Sequence, residues 1–186
     1  MSGSEKSQQR KLLGAVVGSA RDGSPGEADA EALGLALVDA GFRVVSGGLG
    51  GIMRAVSRGA RASAKYQTGD VIGVLPSYRA DDANDYVDIP ICTGLQHGRN
   101  LIVAATGDVA FAIGGRSGTL SEVALAWALG KPVVCVGGAE GWAAELAGRR
   151  IDDRREDQVH GPFEPQEAVA FAKSLLRTHR YVPREF

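Results

Sequence analysis

The sequence is poor in the residues that most often build metal centres and cross-links. It holds two cysteines and three histidines in 186 residues, and none of them pairs at metal-ligand spacing, so no metal site is expected. Cys92 and Cys135 each sit in an apolar run. The expectation is two buried, reduced thiols rather than a disulfide, which fits a cytoplasmic protein. An excess of one charge is also missing. With 21 basic and 22 acidic residues the net charge is −1, which gives no global field toward nucleic acid or an anionic membrane. No apolar run approaches the roughly 20 residues of a membrane span, and the polar first ten residues lack the apolar centre of a signal peptide.

Familiar nucleotide and catalytic fingerprints are absent as well. Gly48-Leu49-Gly50-Gly51-Ile52-Met53 lacks the third glycine of the dinucleotide motif, and Gly130-Lys131 is followed by proline rather than completing a P-loop. Ser117, in Gly115-Arg116-Ser117-Gly118, falls one residue short of a hydrolase nucleophile elbow.

What the chain has is glycine, 26 residues, roughly twice the usual share of about 7 %, together with 44 % hydrophobic residues that argue for a packed core. Short β-branched runs alternate with amphipathic stretches. Strands are expected over 12–17, 42–46, 71–75, 87–92, 109–113 and 133–136. Helices are expected over 28–40, 52–64, 95–106, 119–129, 142–147 and 165–177, the first opened by Ser24 as N-cap with Pro25 and Glu27 behind it. Pro90 marks 87–92 as an edge or irregular strand. The charged run 149–157 reads as a solvated loop. Alternation at this spacing predicts an α/β fold with one doubly wound, mostly parallel sheet of about seven strands flanked by helices. The expected organisation is a disordered leader over 1–10, a single domain over 11–178 and a tail over 179–186.

In such a sheet ligands bind beyond the carboxyl ends of the strands. Four strand ends carry glycines: Gly18, Gly23 and Gly26; Gly47, Gly48, Gly50 and Gly51; Gly114, Gly115 and Gly118; Gly137, Gly138 and Gly141. Tight turns want glycine in any case. Repeated along one edge beside helix N-termini, however, it favours an anion such as phosphate. Arg99 has the planar fork that grips phosphate, and Glu122 can accept ribose hydroxyls or act as an acid or base. Each also has an ordinary reading. Arg99 would serve as a solvated helix arginine, and Thr119-x-x-Glu122 as a capping box.

The stretch Gly114-Gly115-Arg116-Ser117-Gly118-Thr119-Leu120-Ser121-Glu122 resembles the P-G-G-x-G-T-x-x-E signature of the LOG-like proteins. These include the cytokinin-activating nucleoside 5′-monophosphate phosphoribohydrolases and relatives misnamed lysine decarboxylases. Gly18-Ser19 is similar to that family's first turn. Ser46-Gly47-Gly48 with Gly50-Gly51-Ile52-Met53 is similar to its Y-G-G-G-x-x-G-L-M segment. Val87-Asp88-Ile89-Pro90-Ile91-Cys92-Thr93-Gly94-Leu95, Gly98-Arg99-Asn100 and Gly130-Lys131-Pro132-Val133 resemble the molybdenum-cofactor carrier branch.

The resemblance implies a Rossmann-like fold and a homodimer or larger assembly. It implies Arg99 and Glu122 as the catalytic pair if the protein is an enzyme. A ligand or phosphate site is implied at Gly18, Ser19, Gly47, Gly48, Gly50, Gly51, Met53, Gly114, Gly115, Arg116, Ser117, Gly118 and Thr119. No cofactor is required. The bound ligand would be an AMP-like nucleotide, cleaved to base and ribose 5-phosphate, or molybdopterin carried without turnover. Three positions depart from the hydrolases: Ile113 for proline, Asn100 for lysine and Ser121 for glutamate. A pyridoxal-dependent decarboxylase is excluded, because Lys6, Lys11, Lys65, Lys131 and Lys173 all fall away from the expected ligand edge.

Overall fold

The computed structural model describes residues 10–178; residues 1–9 of the expected leader and the tail over 179–186 lie outside the described residues. Seven strands form one sheet: β1 (Leu13–Gly18), β2 (Arg43–Ser46), β3 (Val71–Leu75), β4 (Ile89–Cys92), β5 (Val109–Ile113), β6 (Val133–Val136) and β7 (His160–Phe163). Their order is β4-β3-β2-β1-β5-β6-β7, and every pairing is parallel. The chain therefore winds outward from β1 to β4, returns to β5 beside β1, and winds outward again. The two central strands pair along their length, from Gly14 against Val109 to Gly18 against Ile113. The crevice past their carboxyl ends is where strand order reverses, which is where open α/β sheets bind ligands.

Helices α1 (Glu27–Asp39), α2 (Ile52–Ala62) and α6 (Pro165–Thr178) cover one face, and α3 (Arg99–Thr106), α4 (Ser117–Ala128) and α5 (Trp142–Leu146) the other. Successive strand residues feed the two faces in turn. Val109, Phe111 and Ile113 enter the core under α1, α2 and α6, whereas Ala110 and Ala112 enter the core under α3, α4 and α5. The large side chains go to one side and the small ones to the other, so α4 can approach the sheet closely. Helices α1 and α2 meet backbone to backbone. A Cβ on Gly34 would lie 2.1 Å from the Val56 carbonyl oxygen, and one on Gly59 would lie 1.9 Å from that of Glu31.

The amino ends of the strands bury three aspartates, each just before a strand. Asp70 accepts from Lys11 Nζ at 2.8 Å and from the Gln67 N–H at 3.0 Å, with Arg43 at 3.5 Å. Asp88 accepts from Arg61, the Tyr66 hydroxyl and the N–H groups of Gly69 and Val71. Asp108 takes both arms of Arg10 and the Leu13 N–H.

The structure corrects several expectations. Strand β7, His160-Gly161-Pro162-Phe163, was not among the expected strands because glycine and proline weaken its local signal; pairing with β6 defines it. Ser24 is not an N-cap. Gly26 holds that position with φ 92°, and the Ser24 hydroxyl instead donates to the Arg21 carbonyl at 2.5 Å and pairs with the Ser19 hydroxyl at 2.8 Å. Helix α4 starts at Ser117 without a side-chain cap, so Thr119 and Glu122 form no capping box. Helix α3 starts at Arg99, after a separate 3-10 turn over Gln96–Gly98. Cys92 is exposed on edge strand β4, whereas Cys135 is buried and its thiol is pushed up to about 12 by burial. The 149–157 run is more than a solvated loop. The Arg155 guanidinium lies 4.3 Å from the Trp127 ring and donates to the carbonyls of Trp127 and Lys131, while Trp127 Nε1–H donates to Asp152.

Candidate functional site

Past the carboxyl ends of β1 and β5 lies a cavity of about 170 Å³. Of the residues singled out in the sequence, Gly18, Ser19, Met53, Arg99, Arg116, Gly118, Thr119 and Glu122 line it. Two parallel helices supply the charged pair. Arg99 is the first residue of α3 and Glu122 lies in the second turn of α4. Arg99 Nη1 stands 3.6 Å from Glu122 Oε1, an ion pair without a hydrogen bond. Arg99 reaches this position only because residue 47 is glycine. A Cβ there would fall 1.8 Å from Arg99 Nη1.

The charged and hydroxyl side chains in this cavity are largely buried and unpaired. The Arg99 and Glu122 side chains are 11 % and 8 % exposed, and Thr119 is 2 % exposed. No hydrogen bond to the side chain of Arg99, Thr119 or Glu122 occurs among the described residues, and Arg99 Nη1 is fully buried without one. Leaving such a group unpaired costs about 1–3 kcal/mol, more for a charge. Among the described residues that line the cavity Arg99 Nη1 is the one such atom; the Thr119 and Glu122 oxygens are unpaired but open onto the cavity, and a ligand's own polar groups would partner all three. Helix α4 adds donors: with no side-chain cap, its first-turn N–H groups at Ser117, Gly118 and Thr119 are the orphan amides every helix start presents.

Burial shifts both members of the charged pair toward neutrality. It lowers the proton affinity of Arg99, which Glu122 partly restores. It raises the Glu122 carboxyl to about 7 against the opposing pull of Arg99. Glu122 therefore changes protonation near neutral pH, within the range useful for acid–base chemistry.

The other marked residues divide by location. Gly115 and Arg116, with Ser19, line a polar groove of about 430 Å³ that also includes Arg21, Asp22, Ser24 and Glu140; it adjoins the cavity at Ser19 and Arg116. Ser117 is exposed at the start of α4. Gly48, Gly50, Gly51 and Gly114 line neither space and hold loops together. The Gly48 carbonyl accepts from the Asn84 N–H and Nδ2. The Gly51 N–H donates to Asp22 at 2.7 Å, next to a Gly50 whose Cβ would meet the same carboxylate. The Gly114 carbonyl accepts from the Ala143 N–H, tying this loop to α5.

The cavity also takes in Val16, Val17, Ala20, His97 and Asn100. The first three follow from their place at the end of β1. His97 was visible only as a neighbour of Arg99, and the turn that carries it begins with Gln96 at φ 49°, the one non-glycine residue with positive φ among those described. Asn100 stood out in sequence only as a departure from the hydrolase pattern. Its Nδ2 donates to Ser121 Oγ at 2.9 Å, so two of the three departing positions are bonded to each other across α3 and α4.

Among the described residues no three His, Cys, Asp or Glu side chains are placed to hold a metal ion, and no helix is long and apolar enough to cross a membrane.

Comparison with known proteins agrees with this architecture. The molybdenum cofactor binding protein of Rippkaea orientalis superposes with a TM-score of 0.77 at 32 % identity, covering 90 % of this chain and 98 % of that one. The molybdenum cofactor carrier protein of Chlamydomonas reinhardtii gives 0.73 at 30 % identity, covering 91 % and 100 %. DNA processing protein A of Helicobacter pylori, at 22 % identity and a TM-score of 0.63, shares the fold alone. An uncharacterised protein of Archaeoglobus fulgidus is 37 % identical over 114 residues, 58 % of this chain and 72 % of that protein. The family profile described as the SLOG cluster4 family matches residues 11–169, and the chain belongs to that family.

Proposed function

We propose that this protein binds a phosphorylated, molybdopterin-like small molecule across the carboxyl ends of β1 and β5 and carries it without turnover. The observation that carries the reading is the meeting of unpaired polar side chains at Arg99, Thr119 and Glu122 in one cavity, with Arg99 Nη1 fully buried. Arg99, the Thr119 hydroxyl and the first-turn amides of α4 form an anion site of the kind that suits a phosphate arm. The pterin-bearing part would extend past Ser19 and Arg116 into the outer groove, because a 170 Å³ cavity is small for such a ligand. Molybdenum would be cargo here, bound by the pterin and not by protein side chains. The cofactor-binding names of the Rippkaea and Chlamydomonas proteins support this reading.

A second reading has its own observation. Glu122 is shifted to about 7 beside Arg99, the two residues that the hydrolases use, and an AMP-like nucleotide would place its sugar against them. Glu122 would then take a proton from water while Arg99 and the α4 amides hold the phosphate, with positioning and local charge lowering the barrier. One experiment separates the readings. Purified protein is incubated with AMP and, separately, with molybdopterin. Molybdopterin retained through gel filtration, lost in Arg99→Ala, with no adenine released from AMP, supports the carrier. Adenine release that disappears in Glu122→Ala establishes the hydrolase and overturns the carrier.

Self-association belongs to the same proposal. Ile91 on β4, Leu95 before α3 and Leu101 on α3 are 41 %, 55 % and 48 % exposed, an apolar strip that a second copy of the chain would cover. Sedimentation of the purified protein reads the mass directly, and a monomer at all concentrations removes this part.

A further inference from the structure

Asn100 is a buried side chain that the proposed function leaves unused. It is 5 % exposed, it lines the inner cavity, and it follows Arg99 on α3. Its amide is half satisfied. Nδ2 donates to Ser121 Oγ at 2.9 Å, and no partner for Oδ1 occurs among the described residues. Ser121 itself is exposed on α4, so the bond ties a residue lining the cavity to a helix position outside it. An amide held at one end presents its other end in a fixed direction. A carboxamide also carries no charge, so it neither competes with Arg99 for an anion nor repels one as a second carboxylate would.

We infer that Asn100, oriented by Ser121, reads a hydrogen-bond donor, O–H or N–H, on the ring system that carries the ligand's phosphate arm. This rests on the phosphate lying at Arg99 and Thr119, as proposed above. Arg99 and α4 take the anion, Asn100 beside Arg99 takes the adjoining ring system, and Glu122 lines the same cavity 3.6 Å from Arg99. A ligand bearing only a phosphate leaves the amide unpaired, and one with a neighbouring hydroxyl satisfies it. The class of ligand selected is a phosphate ester of a hydroxylated or N–H-bearing ring system, in preference to phosphate itself or a deoxygenated ester. Ser121 is a positioning residue, since its hydroxyl reaches the ligand only through the amide.

The probes are ribose 5-phosphate and 2-deoxyribose 5-phosphate, titrated by calorimetry into the full-length protein. A site that uses one neutral hydrogen bond for this reading should favour the ribose compound by about tenfold. In Asn100→Ala the ratio should fall close to one. In Ser121→Ala, an exposed position where folding is not at risk, it should fall to about threefold, because the amide is present but free to turn. The double variant should be no worse than Asn100→Ala, since the two residues act as one unit. A wild-type protein that binds both esters equally, or variants that keep the wild-type ratio, overturn the inference. Arg99→Ala distinguishes that from failure of the underlying reading: if it leaves ribose 5-phosphate binding unchanged, the phosphate lies elsewhere, and the proposed function falls with it.

Discussion

At the amino ends of the strands, Asp70, Asp88 and Asp108 each accept from a basic side chain and from backbone N–H groups, with the Tyr66 hydroxyl added at Asp88; one neighbour, Arg43 Nε beside Asp70, stays buried without a hydrogen bond. At the carboxyl ends, the side chains of Arg99, Thr119 and Glu122 are also largely buried, and no hydrogen bond to them occurs among the described residues. The same sheet thus treats buried polarity in two ways. A satisfied charge fixes the structure, since removing one partner strands the others. An unsatisfied one lowers stability and is retained where a ligand completes it. Neither burial nor one unpaired atom marks a candidate site by itself, since Arg43 Nε is also unpaired; the carboxyl end differs in that several unpaired side chains face one cavity.

Five substitutions would break or sharpen that contrast. The largest effect is expected at the satisfied end. Asp88→Ala leaves Arg61, Tyr66 and two backbone N–H groups without their acceptor and should cost about 3–5 kcal/mol in denaturant unfolding, with anion affinity per folded molecule unchanged. At the other end, Arg99→Ala should weaken phosphate-ester binding about 100-fold, as loss of a charge-assisted contact does, without lowering the melting temperature. Gly47→Ala should reproduce that loss by displacing the guanidinium, given the 1.8 Å approach of its Cβ. If Arg99→Ala instead destabilised the protein as Asp88→Ala does, the contrast between the ends would collapse.

Glu122 tests the same idea through pH. Its folded-state carboxyl titrates near 7, above its ordinary value of 4.5, so the folded protein holds a proton that the unfolded chain has released. Stability from this group is full below about pH 4.5, declines as pH rises toward 7 and is level above that. Glu122→Gln should therefore stabilise the protein at pH 8, by roughly 2–3 kcal/mol, and have little effect at pH 4. It should also flatten the weakening of anion binding as pH rises through 7. Equal effects at both pH values would mean that Glu122 is satisfied. The smallest change is expected for Thr119→Val, which removes one hydroxyl donor from the anion site. A loss of about fivefold in phosphate-ester affinity, with stability unchanged or slightly higher, is the outcome to look for.

Much of this contrast was legible in the sequence at one end and hardly at all at the other. Gly18, Gly47, Gly114 and Gly115 marked the carboxyl edge, and the apolar run over β5 marked a strand covered on both faces. Arg99 and Glu122 were each identified by motif. Their separation of 3.6 Å was not legible, because it depends on α3 and α4 lying side by side and on the space left at Gly47. The aspartates gave no signal, since a single acidic residue before a strand looks like a loop residue until distant chain segments bring Lys11, Arg61 and Arg10 to it. Strand β7 escaped for the opposite reason. Its sequence argues against a strand, and only the free edge of β6 makes it one.

The latch formed by Arg155 has a consequence for the field inside the cavity. A helix carries partial positive charge at its N-terminus and partial negative charge at its C-terminus. On α4 the two poles fare differently. The Arg155 guanidinium satisfies the carbonyls of Trp127 in the last turn of the helix and of Lys131 just beyond it, while Asp157 pairs with both arms of the same guanidinium and cancels its charge. The positive pole at Ser117, Gly118 and Thr119 has no side-chain cap to offset it. By anchoring the far end of α4 without adding net charge there, the 149–157 loop holds in place the helix whose uncapped positive end faces the cavity.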